Sequence, residues 1–136
     1  DVPLAGLNPP LRGRVLEDIV RAIDEMLHPA ASFDLPTFGH CVNGHHRNSS
    51  NASYDWMRSG CRVECKHAKL NWNAASQTWY IRFSNVKFVA DGICDVALFD
   101  ELLLALYTPR GIYVYRHDLM FAVSSTGMRT KSHGFQ

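Results

Sequence analysis

The stretch from Tyr54 to Lys66 limits the possible folds more than any other part of this 136-residue chain. Cys61-Arg62-Val63-Glu64-Cys65-Lys66 alternates apolar and polar residues, the period of a half-buried strand. If Ser59-Gly60 is a two-residue hairpin loop, Arg58 pairs with Cys61 and Asp55 falls opposite Glu64. Directly opposed residues have Cβ atoms about 4.5–5.5 Å apart on one sheet face. Lys66, two residues beyond Glu64, points to that same face, while Cys61, Val63 and Cys65 form an apolar set on the other.

Around this hairpin the chain reads as an α/β protein of mixed α+β type, a central mixed sheet with a long N-terminal helix packed on it. Residues 1–10 carry three prolines and read as an irregular lead-in. From Leu11 to His28, Val15, Leu16, Ile19, Val20, Ile23, Met26 and Leu27 recur on one helical face, and Pro29 ends the helix. Glu17 lies at the edge of the polar face, one turn before Arg21. Further strands are expected at Trp79–Phe83, Leu102–Tyr107 and Ile112–Arg116, the last two joined by the Thr108-Pro109-Arg110-Gly111 turn. Leu and Ala over 99–107 also suit a helix, but the turn leading straight into a matching strand favours a buried strand. A short helix within 89–98 would take Asp91 or Asp95 as N-cap. The tail from Ser124 to Gln136 is polar and reads as a surface loop. One domain over 1–136 accounts for the length.

Composition narrows the function classes. With 46% apolar and 20% charged residues the mix is that of an ordinary soluble protein. No apolar run reaches the roughly 18–20 residues a membrane-spanning helix needs, and the first residues lack the pattern of a secretory signal. The net charge of +1 excludes a strongly basic nucleic-acid binder, although Arg58, Arg62, Lys66 and Lys69 form a local positive stretch around the lone acid Glu64. Cys41, Cys61, Cys65 and Cys94 read as reduced thiols, and the sequons Asn48-Ser49-Ser50 and Asn51-Ala52-Ser53 are low-information patterns. The expected setting is soluble, and intracellular rather than secreted.

Two facing carboxylates repel and would weaken a strand pair. A divalent cation removes that objection: Mg²⁺ prefers hard oxygen ligands, often one or two carboxylates plus waters and substrate phosphate. An ammonium beside them can stabilise charge that develops on a phosphoryl group. Asp55, followed after eight residues by Glu64-Cys65-Lys66, resembles the PD-(D/E)XK nuclease superfamily, the restriction-endonuclease-like fold. The strand and hairpin downstream, and the preceding helix with Glu17, extend the resemblance over about residues 11–118. Tyr54 stands where the motif has proline. The resemblance implies a Mg²⁺- or Mn²⁺-dependent endonuclease acting on DNA more than RNA, with a homodimer as a compatible assembly. It also implies Asp55 and Glu64 as metal ligands, the Cys65 backbone carbonyl as a third, Lys66 as the catalytic lysine, and Glu17 acting through water.

Arg58, Arg62 and Lys69 are the candidate phosphate contacts, with Arg110 and Lys131 behind them; Trp56 and Trp72 are candidates for base stacking. The hydroxyls of Ser124-Ser125-Thr126 are a further candidate for the substrate backbone. A zinc site from Cys41, His45, Cys61 and Cys65 is disfavoured. Cys61 and Cys65 lie about 13 Å apart along a strand, and zinc–thiolate bonds are about 2.3 Å. His40, His45 and His46 read as polar loop residues.

Overall fold

The computed structural model describes residues 4–36, 54–89, 97–131 and 134. It is a mixed α+β protein in which one N-terminal helix packs on a five-stranded mixed sheet. The helix, α1, runs Pro9–Leu27 and so begins inside the stretch read from the sequence as irregular. Prolines occupy its first two positions, where no N–H is required, and the Asn8 side chain accepts from Leu11 N at 3.0 Å.

The buried stripe of α1 is Gly13, Leu16, Val20 and Asp24. That corrects the apolar face read from the sequence, because Ile23, Met26 and Leu27 are exposed and an acid takes the buried position one turn after Val20. A Cβ at Gly13 would lie 2.2 Å from His67 Nε2, so the imidazole would have to move to admit one.

The strands of the main sheet are β1 (Phe33–Asp34), β2 (Trp56–Arg58), β3 (Cys61–Lys69), β6 (Glu101–Thr108) and β7 (Gly111–Arg116), in the order β1-β2-β3-β6-β7. Only β3 and β6 run parallel, with Val63 opposite Glu101 and Lys69 opposite Tyr107. The chain between them carries the small hairpin β4 (Asn71–Asn73) and β5 (Thr78–Tyr80). The strand expected over Trp79–Phe83 is therefore only three residues long, and it pairs with β4 rather than with the main sheet.

Ser59 and Gly60 have φ of 46° and 83°, the pair of positive values a two-residue type I′ loop needs. Arg58 pairs with Cys61, the register read from the sequence. The turn after Thr108 also forms as expected, Thr108 pairing with Gly111.

Strand alternation sends the two faces of β3 and β6 to different layers. Val63, Cys65, Leu103 and Ala105 pack with Trp56 against Val20 of α1. Ala68, Leu102, Leu104 and Leu106 pack with Phe83, Val86, Phe88, Phe99 and Ala122. The segment 101–106 is buried on both faces, which settles it as a strand.

The polar tail is a correction too. β8 (Ala122–Val123) and β9 (Arg129–Thr130) pair across a turn, and Ser124 Oγ lies 2.9 Å from Thr126 Oγ1 while accepting from Met128 N at 3.0 Å. Those hydroxyls hold a turn. No helix among the described residues is long and apolar enough to cross a membrane. The helix considered within 89–98, Cys41, Cys94, His40, His45, His46 and both sequons fall wholly or mostly outside the described residues. Cys61 and Cys65 are free thiols.

Candidate active site

The ladder between β2 and β3 stops at Trp56 opposite Val63. Asp55 leaves the strand there: its N–H donates to the Val63 carbonyl at 2.9 Å, and its Oδ2 accepts from Cys65 N at 2.7 Å. The Asp55 side chain thus takes the hydrogen bond a further β2 residue would have accepted. A residue's N–H and C=O point to the same side of a strand, so the Cys65 carbonyl is directed at this edge as well. Beyond it, no described strand pairs with β3 on the β2 side.

Glu64 and Lys66 sit two residues apart on β3, and Lys66 Nζ makes an ion pair with Glu64 Oε1. Glu64 is buried and Lys66 half-buried. The Asp55 and Glu64 carboxyls are close enough to act on each other electrostatically. Glu17 approaches from α1, close enough for the Asp55 charge to act on it.

Electrostatics follows from this crowding. Burial, then the charge of Asp55, raises Glu64 to about 7 despite Lys66. Burial and Asp55 likewise raise Glu17 to about 7. Asp55 is also raised by burial, against the lowering effect of Cys65 N–H, Lys66 and Glu64. Burial pushes Lys66 down, but Glu64 and Asp55 more than reverse it, so the lysine holds its proton firmly. The Cys65 thiol is pushed well up by burial and by Asp55, Glu17 and Glu64, which removes it as a thiolate ligand or nucleophile.

Three carboxylates facing one ammonium leave two negative charges unbalanced when all are ionised. Among the described residues, no three His, Cys, Asp or Glu side chains are arranged around one point as ion ligands. The reason is local. Glu64 is turned onto Lys66, Asp55 onto the Cys65 N–H, and the third donor read from the sequence is a backbone carbonyl. Carboxylate and carbonyl oxygens are nonetheless the donor set that a hard divalent cation takes.

The structure therefore brings Asp55, Glu64 and Lys66 to one edge of β3, with the Cys65 carbonyl directed there too, while Glu17 lies on α1 near enough for charge to act. It does not gather the candidate substrate residues beside them. Arg58 is a correction: its side chain is only 13% exposed and is clamped inside the fold. Arg58 Nη1 pairs with Asp24 Oδ1, and Nη2 with Glu101 Oε2 at 2.8 Å. Trp56 is buried and donates from Nε1 to Asp24 Oδ2 at 2.9 Å, so it presents no face to a base.

Arg62 is held by Asp100, with 2.8 Å from Nη2 to Oδ1 and 3.0 Å from Nε to Oδ2. Those bonds lower Asp100 to about 2. Lys69 lies at the far end of β3 against Trp72 and Trp79. Arg110 sits on the β6–β7 turn, and the Lys131 carbonyl accepts from Phe88 N at 2.9 Å. Sequence reasoning missed Asp24 and Glu101, although Asp24 follows Val20 at helical spacing on the buried stripe.

Comparison of the chain with protein-family models, with curated proteins and with solved structures gives no match.

Proposed function

We propose that this chain hydrolyses phosphodiester bonds in nucleic acid, DNA rather than RNA, as a Mg²⁺- or Mn²⁺-dependent endonuclease of restriction-endonuclease-like fold. The observation that carries the reading is the meeting of Asp55, Glu64 and Lys66 at the β3 edge beyond its last described pair with β2, with Glu17 near enough for charge to act. Its two surplus negative charges match one divalent cation. Asp55, Glu64 and the Cys65 carbonyl would hold the ion, which when bound supplies Lewis-acid polarisation of a phosphoryl oxygen and a more acidic water.

The chain's own groups do the rest. Lys66 stays protonated and places positive charge where the phosphoryl group becomes more negative. Glu17, at about 7, is matched to taking a proton from the attacking water near neutral pH. With Glu64 holding an ion, Lys66 would be released from its resting pair and could face the phosphoryl group.

That same ion pair supports a second reading, a domain that binds nucleic acid without cutting, since Glu64 and Lys66 satisfy each other without an ion. Cleavage of supercoiled plasmid and of labelled oligonucleotides with Mg²⁺, with Mn²⁺ and with EDTA separates the two. Cutting should need the cation and fall at least about 100-fold in Lys66→Ala. Nicking that survives EDTA, or is unchanged in Lys66→Ala, refutes the enzyme proposed here; binding with no cutting under any cation selects the second reading.

A further inference from the structure

Three residues past Lys66, β3 ends at Lys69 beside a groove of about 350 Å³ lined by Lys69, Asn71, Trp72, Trp79, Tyr107 and Pro109. The groove is built rather than incidental. Trp72 and Trp79 face each other across β4 and β5, their ring centroids 5.2 Å apart and their planes tilted by 58°. Asn73 Oδ1 accepts from Ala75 N at 3.0 Å and Ser76 N at 3.3 Å, which fixes the turn of that hairpin. The hairpin is pinned to the main sheet, because Leu70 N donates to the Tyr107 carbonyl at 2.9 Å and Asn71 Nδ2 to the Lys69 carbonyl at 2.7 Å.

The two indoles are 50% and 60% exposed. Large aromatic surface left in water beside a cation calls for a ligand that is flat and apolar on its faces and anionic at its rim. An unpaired nucleotide has that character. Aromatic side chains stack on any base, and a lysine takes the phosphate. Among the described residues Lys69 makes no ion pair, and Arg110 stands on the turn next to Pro109.

Position strengthens the match. Lys69 lies about 10 Å along β3 from Lys66, roughly three stacked nucleotide steps at ~3.4 Å each. Strand alternation turns Lys66 and Lys69 to opposite faces of β3, so a strand whose phosphate lies at Lys66 reaches the groove by passing around the end of β3. A base in an intact duplex cannot enter such a groove without being flipped out.

We propose that the groove stacks an unpaired base of the nucleic acid being cut, so that the substrate class is single-stranded or flapped DNA rather than intact duplex. The inference rests on the nuclease reading above, and the test below reads binding alone, so that the two fail separately. Fluorescence anisotropy of a labelled 12-mer of oligothymidylate and of a labelled blunt 12-base-pair duplex is followed in EDTA. The proteins compared are the wild type, Trp72→Ala, Trp79→Ala, Trp72→Phe and Lys69→Gln, each checked for native circular dichroism.

The wild type should prefer the single strand. Trp72→Ala and Trp79→Ala should weaken its binding about tenfold while leaving the duplex unaffected, and Trp72→Phe should restore most of the loss because it keeps a stacking face. Lys69→Gln should flatten the salt dependence by about one ion. The proposal is overturned by a wild type that prefers duplex or binds neither probe, or by tryptophan variants that bind the single strand unchanged. It is equally overturned by a dimer, seen in sedimentation, that Trp79→Ala dissolves, which would assign the patch to a second copy of the chain. A wild type that binds as expected but never cuts refutes the nuclease reading and leaves the groove standing.

Discussion

Replacing Glu64 by glutamine asks whether the carboxyl cluster is poised for a cation or satisfied without one. In the folded chain Glu64 sits at about 7 against an ordinary value of 4.5, because burial and Asp55 outweigh Lys66. Between those two values the folded state holds a proton that the unfolded state has lost, so stability falls as pH rises from about 4.5 to 7 and stays low above that. A shift of that size corresponds to about 3 kcal/mol.

Glutamine mimics the protonated acid and cannot ionise. At pH 8 and in EDTA, Glu64→Gln should therefore be more stable than wild type by up to about 3 kcal/mol, or roughly 10 °C in Tm for a chain of this length. At pH 5 the advantage should shrink below about 1 kcal/mol, because the wild-type carboxyl is then protonated when folded. Adding Mg²⁺ at pH 8 should stabilise the wild type and leave Glu64→Gln nearly unmoved. Thermal unfolding followed by circular dichroism at both pH values, with and without Mg²⁺, supplies all the comparisons. If Glu64→Gln is less stable than wild type at pH 8 in EDTA, the Glu64–Lys66 pair is a net stabilising contact and the reasoning fails. Equal stabilisation of both proteins by Mg²⁺ would place the ion elsewhere.

Arg58→Ala should cost about 3–5 kcal/mol in urea unfolding, since it leaves Asp24 and Glu101 buried without their shared cation; a change under 1 kcal/mol would return Arg58 to the list of substrate contacts. Gly13→Ala should be stabilising by about 1 kcal/mol in a His67→Ala background, through helix propensity. In the presence of His67 the gain should be lost or reversed, because the new Cβ meets the imidazole, and a double-mutant cycle with no coupling would disprove that contact. Asp100, lowered to about 2 by Arg62, contributes stability above its unfolded value near 4, and that contribution disappears as pH falls toward 2. Asp100→Asn should accordingly flatten the acid side of the unfolding profile between pH 4 and 2; an unchanged slope there counts against the Arg62 contact.

What could be read from the sequence depended on how local each feature is. The Arg58–Cys61 register and the Glu64–Lys66 spacing come from one two-residue turn and strand alternation, written in consecutive residues, and so were legible. Asp55, read as directly opposite Glu64, instead lies past the last pair of the ladder and reaches the Cys65 N–H. The destination of Arg58 was not legible, because it depends on Asp24, which is 34 residues away, and on Glu101, 43 residues away. A helical acid reads as solvent-facing until something is known to cross the helix at that turn. The same asymmetry explains the apolar end of α1: Ile23, Met26 and Leu27 have the period of a buried face, but burial also needs an opposing surface, and no described strand covers them.

The aromatic groove lies between these extremes. Trp72 and Trp79 are symmetric about a turn that Asn73 caps, so their pairing is a local fact. Their placement beside Lys69 needs the parallel register that sets Lys69 opposite Tyr107, a contact across 38 residues. Chemistry that one hairpin assembles can be inferred from order alone, whereas chemistry at the seam of a parallel strand pair waits on topology. On the nuclease reading proposed from the hairpin, the far end of β3 would decide which strand can be brought to the site.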